Sequence, residues 1–194
     1  HRSSSMPTRR QVLASLPATT AGLFLTQCTT PPATSISQAP AAAPPTPYRG
    51  RLPLQTVFVG EGRFQSLCME AQHANWASLP LGQRVVTAGR SLVGTRYGNY
   101  TLEIHDHIEC PSVNLQSLDC WTFYETSLAF ARMIRSRPAP WTEADLLHLV
   151  ELERYRGGRC DGSYLSRMHH LEEVFADNER RGLGRNLTRS LGGV

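Results

Sequence analysis

After Ile134 the chain has no run of alternating apolar and polar residues long enough to build a sheet, and that absence constrains the fold more than any single motif. What remains is helical periodicity with short connections. Gly62–Leu79 carries Phe64, Leu67, Cys68, Ala71 and Ala74 at helical spacing and stops before Pro80. Leu81–Val93 is expected to bury Val85, Val86, Ala88 and Leu92 and to end at Gly94, which can supply a left-handed cap. In Leu118–Ile134, Phe123, Tyr124, Ser127, Ala131 and Ile134 recur at the intervals of one helix face. Thr142–Leu152 opens with a capping box, Thr142 paired with Asp145, and a hydrophobic staple between Trp141 and Leu146. Arg167–Arg181 is expected to bury Leu171, Val174 and Phe175 and to stop at Gly182. Val57–Val59 and Thr101–His105 are short strand candidates.

The run Asn114–Glu125, N-L-Q-S-L-D-C-W-T-F-Y-E, sets Cys120 directly after Asp119 where a turn gives way to the third of these helices. A cysteine in a first turn faces unpaired backbone N–H groups and the positive end of the helix dipole. Both stabilise a thiolate, the nucleophilic form of the side chain. The alternative is a structural cysteine that packs like a small apolar residue.

This run, L-D-C-x-T-F-x-E, resembles the nucleophile motif of NlpC-type cell-wall cysteine hydrolases, within the papain-like superfamily. More narrowly it resembles their N-acetylmuramoyl-L-alanine amidase-like branch, first catalogued as a domain of unknown function. Four further stretches resemble that branch in order: Ser91–Glu103, Arg154–Ser166 with its R-Y-R-x-G turn, Ser166–Asn178 with S-R-x-H, and Arg181–Gly193 with its closing L-G-G. The resemblance implies an α+β papain-like fold with Cys120 as nucleophile and Asp119 as the acidic residue preceding it. It also implies that Tyr97 lines the site and that Ser166, Arg167, His169 and Asn178 lie on a substrate-side helix. Arg96 replaces the proline usual before the tyrosine, His170 a tyrosine, and Val174 a tryptophan. In the family a carboxy-terminal half follows the L-G-G segment and holds the catalytic histidine. The sheet half is therefore expected to be missing by truncation, and residues 57–194 to form a partial amidase domain without its base. Peptidoglycan or a muropeptide is the implied partner. Cleavage is implied between the muramoyl lactyl group and L-alanine, with no cofactor.

The remaining sequence suits an exported protein. Arg9 and Arg10 precede a weakly apolar stretch, Leu13–Leu25, that is too short and broken to span a bilayer. Residues 1–28 read as an export signal, either a lipoprotein signal in which Cys28 is acylated or an ordinary secretory one in which Cys28 is incidental. A lipid anchor would tie the chain to the inner or outer membrane, and export of either kind leads to the periplasm. Residues 29–56, rich in Pro, Ala, Ser and Thr, read as a disordered tether. All 20 basic residues are arginine, scattered without a basic stripe, which argues against nucleic-acid binding. Cys68, Cys110 and Cys160 remain, an odd number, so at most one disulfide forms among them. Cys110 and Cys160 lack the spacing of a zinc site. His105 and His107 flank Asp106 in a polar stretch, His148 falls on a helix, and only His169 matches a family position. Two functions are open at this point: a cysteine amidase, or an exported lipoprotein that binds peptidoglycan without cutting it. A general base near Cys120 would discriminate them.

Overall fold

In a computed structural model the described residues are 56–102 and 109–193, and they form an α+β fold. The export segment, nearly all of the tether, Cys28, His105 and His107 lie outside them. Five helices follow in order: α1 (Glu61–His73), α2 (Leu81–Leu92), α3 (Cys120–Ser136), α4 (Glu143–Arg154) and α5 (Leu171–Arg180). Four short strands, β1 (Val57–Val59), β2 (Arg96–Tyr97), β3 (Ser112–Asn114) and β4 (Ser117–Leu118), make two parallel two-stranded ladders, β1 with β3 and β2 with β4. Their registers pair Phe58 with Val113 and Tyr97 with Leu118. Among the described residues no strand follows α3; a single antiparallel bridge joins Tyr155 to Arg167. None of these helices is long and apolar enough to cross a membrane.

Helix α3 is the central element, packed between α2 and α4 and buried on most of its circumference. Phe130 receives the rings of Phe64 and Trp76 edge-on, with centroids 6.3 and 6.4 Å away. Met133, Ile134, Leu146 and Val150 close the core around them. A helix buried this deeply can carry ionisable groups only if each finds a partner. Glu125 of α3 accepts from Arg154 of α4 through both oxygens, from Nε at 3.0 Å and from Nη2 at 2.6 Å. The rest of that guanidinium bonds the hydroxyl and carbonyl oxygens of Ser112 in β3, at 2.8 and 3.0 Å. Arg132 of α3 pairs with Glu153 of α4 at 2.6 Å and also donates to the Leu183 carbonyl. Arg84 of α2 donates from Nε to the Ala131 carbonyl at 2.8 Å.

Several sequence expectations need correction. The helix expected over Gly62–Leu79 ends at His73. Asn75 takes a left-handed φ of 49°, and a 3₁₀ turn at Trp76–Ser78 turns the indole into the core. Val86 is 53 % exposed, because Arg84, Ala88, Gly89 and Leu92 form the buried face of α2. Leu118 belongs to β4, and its helix starts two residues later. Thr101 and Leu102 lie in a turn, and 103–105 fall outside the described residues. The last helix begins at Leu171, not Arg167, because the backbone of Arg167 and Met168 is held by Tyr155 and Arg154. Leu171 and Phe175 are about half exposed, and Val174 alone of the three is buried. The capping box of α4 is present, with Thr142 and Asp145 exchanging hydrogen bonds at 2.7 and 3.3 Å. Gly94 has φ +89°, and its Thr95 N–H returns to the Leu92 carbonyl, as in a type II turn.

Removing one partner of the Glu125–Arg154 pair strands the other charge in the core. Glu125→Ala is expected to cost about 3–5 kcal/mol, read as a lowered midpoint in urea unfolding. Burial pushes the Glu153 carboxyl from its ordinary 4.5 up to about 8, against the opposing pull of Arg132. An acid with a raised folded pKa binds more protons folded than unfolded, so its contribution is full in acid and is lost as pH rises through that window. Thermal melts from pH 5 to 8.5 should show stability falling with pH, and Glu153→Gln should flatten that slope.

Candidate functional site

The chain reaches Cys120 through a short, tightly tied path. In β3, Asn114 turns its side-chain oxygen onto the N–H groups of Gln116 and Ser117, at 2.9 and 3.1 Å, which makes the bend into β4. Beside β4 runs β2, and the Gly98 N–H donates to the Leu118 carbonyl at 3.1 Å. At Gly98 a Cβ would stand 1.9 Å from the Ser117 hydroxyl oxygen, so a larger residue fits only if that hydroxyl turns away. Two residues after Leu118 the chain enters α3, with Asp119 as N-cap and Cys120 as the first helical residue.

Asp119 is held from three directions. Its Oδ1 accepts the Thr122 N–H at 2.7 Å and the Thr122 hydroxyl at 2.9 Å, and its Oδ2 accepts the Thr101 hydroxyl at 2.7 Å. In return the Asp119 N–H donates to the Thr122 hydroxyl oxygen at 3.0 Å, completing a reciprocal cap. Burial by itself would raise the carboxyl, but these hydrogen bonds outweigh it and hold the group below its ordinary range. Asp119 is therefore an anion fixed at the helix start, with its oxygens occupied by the protein. A D-x-x-T spacing is the sequence signal that would have found this cap; the part played by Thr101 has none, because it comes from a distant turn.

Cys120 is exposed and opens onto a shallow hollow of about 280 Å³. The hollow is lined from α2 by Leu92 and the Val93–Thr95 turn, from β2 by Tyr97, from β4 by Leu118, and from α3 by Asp119, Cys120 and Phe123. Tyr97 is 67 % exposed at its rim. The first N–H groups of α3, that of Cys120 among them, have no intrahelical acceptor, and Asp119 takes that of Thr122. The other three described thiols are more buried. Burial pushes Cys68 up to about 12, with Glu143 and Asp145 adding to the effect. Burial also raises Cys110 and Cys160.

The other residues singled out in the sequence lie elsewhere. Ser166 is buried in a 3₁₀ turn and donates to the Ser163 carbonyl at 2.7 Å. Arg167 is buried, and its Nε donates to the internal carboxylate of Glu109 at 2.8 Å. His169 stacks on Tyr164 at 3.9 Å, with Nε2 at 2.8 Å from the Tyr164 carbonyl oxygen. Only Asn178 lies on α5; its Nδ2 donates to the Glu153 carbonyl at 3.1 Å. None of the four lines the hollow at Cys120. Asn178 instead borders a second cavity of about 330 Å³ with Trp121, Tyr124, Glu153, Val174 and Phe175. No histidine lines either hollow, and no cluster suited to a metal ion occurs among the described residues.

Comparison with known proteins bears on this arrangement. Residues 87–194 match the family described as N-acetylmuramoyl-L-alanine amidase-like, and the chain belongs to that family. A Bacteroides fragilis protein described as a candidate xylanase is 33 % identical, over 54 % of this chain and 43 % of that one, with a TM-score of 0.45. A Bacteroides uniformis N-acetylmuramoyl-L-alanine amidase is 27 % identical, over 52 % and 40 % of the two chains, with a TM-score of 0.46. A Legionella pneumophila protein of the DUF1460 family shares the fold at 21 % identity and a TM-score of 0.51, over 66 % and 40 % of the two chains. The chain thus spans about two fifths of the length of the solved structures it matches. No curated protein matches it.

Asp119→Ala removes the cap and the Thr101 tie together. It should cost about 1–2 kcal/mol in chemical unfolding. Because the Asp119 pKa is depressed, its contribution is present above pH 3.8 and is lost as pH falls through the lowered value. In acid titrations followed by circular dichroism, the variant and the parent should converge below that point.

Proposed function

We propose that this member of the N-acetylmuramoyl-L-alanine amidase-like family acts on peptidoglycan fragments, with Cys120 as the nucleophile of an amide hydrolysis. The bond cut is the one between the muramoyl lactyl group and L-alanine. The observation that carries this reading is the exposed Cys120 sulfur at the first position of a firmly capped helix, in a hollow shared with Tyr97. The thiolate attacks the amide carbonyl, and the electron pair moves to the oxygen. The Cys120 N–H donates to that oxyanion, with the α3 dipole behind it. Collapse expels the stem-peptide amine, which takes up a proton, and water then releases the acid from the thioester. Tyr97 offers its hydroxyl and ring at the rim to the incoming glycopeptide.

Buried Arg167 and Ser166 serve this reaction by shaping the scaffold. His169 and Asn178 stand outside the hollow, where a longer substrate reaches them. Residues 1–28 act as the export signal, with Cys28 as the acylation site, and residues 29–56 form the tether that lets an anchored domain reach the wall. No histidine among the described residues lines the hollow, and the one acid there, Asp119, is committed to the cap. That observation favours a second reading, a chain that binds muropeptides and turns them over slowly or not at all. A positioned acid–base group typically contributes about 10²–10⁴-fold in rate.

The test uses the full chain with purified muropeptides, following free stem peptide by chromatography. Turnover is expected to be slow, to rise with added imidazole as an external base, and to vanish in Cys120→Ala. Alkylation by iodoacetamide should label the exposed Cys120 faster than Cys68, Cys110 or Cys160, which the fold buries in whole or in part. Release of stem peptide by Cys120→Ala at the parent rate would overturn the nucleophile assignment. Retained binding with no turnover at any imidazole concentration would establish the binding reading.

A further inference from the structure

Cys110 and Cys160 have no part in the proposed reaction, and the fold sets them side by side. They stand 50 residues apart, Cys110 just before β3 and Cys160 in the turn that follows α4. The Cys160 thiol donates to the carbonyl of Glu109 at 3.3 Å, and that carbonyl belongs to the peptide bond leading into Cys110. Two residues on, the Gly162 carbonyl accepts the Glu109 N–H at 3.3 Å. The two segments therefore run in contact at the cysteines. The contact is fastened on both sides: Arg167 grips the Glu109 carboxylate at 2.8 Å, and Arg154 holds Ser112. Cys110 is 5 % exposed, and Cys160 is only partly buried. Each thiol is raised mainly by burial, and Cys110 is raised further by its nearness to Cys160.

The other two described thiols are excluded as partners. Cys68 sits on α1 against the apolar core, with the acidic start of α4 as its charged neighbourhood. Cys120 opens onto the hollow lined by α2, β2 and β4. Sequence alone leaves three pairings open among Cys68, Cys110 and Cys160; the contact of the two segments selects one.

We infer that Cys110 and Cys160 form a redox-active thiol pair that closes to an intramolecular disulfide in an oxidising environment. The oxidant is a small-molecule or protein disulfide, such as oxidised glutathione. The partly exposed Cys160 loses its proton to water and attacks one sulfur of that disulfide, forming a mixed disulfide and releasing one thiolate. Cys110, deprotonated in turn, attacks the Cys160 sulfur and releases the second thiolate. One protein S–S bond forms, the oxidant's S–S bond breaks, and two electrons pass to the oxidant, which leaves as two thiols. The bond closes a loop containing β3, β4, α3 and α4, so it fixes the strand that feeds the Cys120 helix to the segment behind α4. This inference does not depend on the amidase reading, since it concerns a pair of thiols outside the hollow.

The experiment equilibrates the reduced full chain with glutathione buffers of increasing oxidised fraction, then blocks free thiols with iodoacetamide and maps peptides by mass spectrometry. The expected result is a linked peptide containing Cys110 and Cys160, lighter by two hydrogens, while Cys68 and Cys120 remain alkylated. Oxidation should also raise Tm by roughly 8 °C or more, as expected for closing a loop of this length in a domain of this size. That gain should persist in Cys68→Ala and disappear in Cys160→Ser. Because Cys160 is only partly buried, its serine variant tests the link even if Cys110→Ala fails to fold. Alkylation of both Cys110 and Cys160 in the fully oxidised buffer overturns the inference. So does a glutathione adduct on either without the link, or a link that includes Cys68 or Cys120.

Discussion

The bidentate contact between Glu125 and Arg154 is the constraint on which the rest of the structure depends. It joins the central helix to α4, and through Ser112 it also fastens the strand that leads toward Cys120. Three elements with no sequence proximity thus meet on one guanidinium. Two buried charges are costly to remove from water, and this pair offsets the cost only because every polar edge of the arginine is occupied. The geometry is specific to arginine. A lysine ammonium could not bond both carboxylate oxygens and two Ser112 atoms from one planar group. The same logic recurs at Arg84 and Arg132, each crossing a seam of α3 to reach a backbone carbonyl. The exclusive use of arginine in this chain, which looks like a compositional accident, is well matched to that scaffold.

The motif residues acquire a different meaning in this light. Glu125 closes the run around Cys120, and Arg154 opens the R-Y-R turn. Thr101, from a third stretch, ties onto Asp119 and Thr122 of the first. Asn178, from a fourth, holds the Glu153 carbonyl beside Arg154. The stretches that looked like separate pieces of a substrate site are, in large part, contacts made to one another. Much of the pattern is thus explained by the need to hold α3 and its first turn in position.

What was legible in the sequence follows from the range of each interaction. The α4 cap was readable because Thr142 and Asp145 lie three residues apart. The ends of α2 and α5 were readable from Gly94 and Gly182. The α5 start was misread because nothing local shows that Arg167 and Met168 are claimed by the backbone of Arg154 and Tyr155. The ladders β1–β3 and β2–β4 were mostly invisible, since two- and three-residue parallel strands leave no alternation to detect. At the site, Cys120 and its first turn were legible from spacing and Tyr97 from resemblance. The destinations of Ser166, Arg167 and His169 were not, because a residue's type shows what it can bond but not that a partner inside the fold has already taken it.

The bend at Asn114 has a consequence for how this region can vary. One side-chain oxygen sets the path from β3 to β4, β4 is held against β2 at Gly98, and two residues later the cap of α3 begins. Six residues therefore act as a ruler between the ladder at one end and the thiol at the other. Individual side chains along it are replaceable where they face solvent, as Gln116 does. Its length is not. An insertion or deletion of one residue would turn Leu118 out of the core, uncouple Asp119 from Thr101 and rotate the first turn of α3 by about 100°. Among relatives that keep this thiol in use, sequence in this interval can drift while its residue count stays the same.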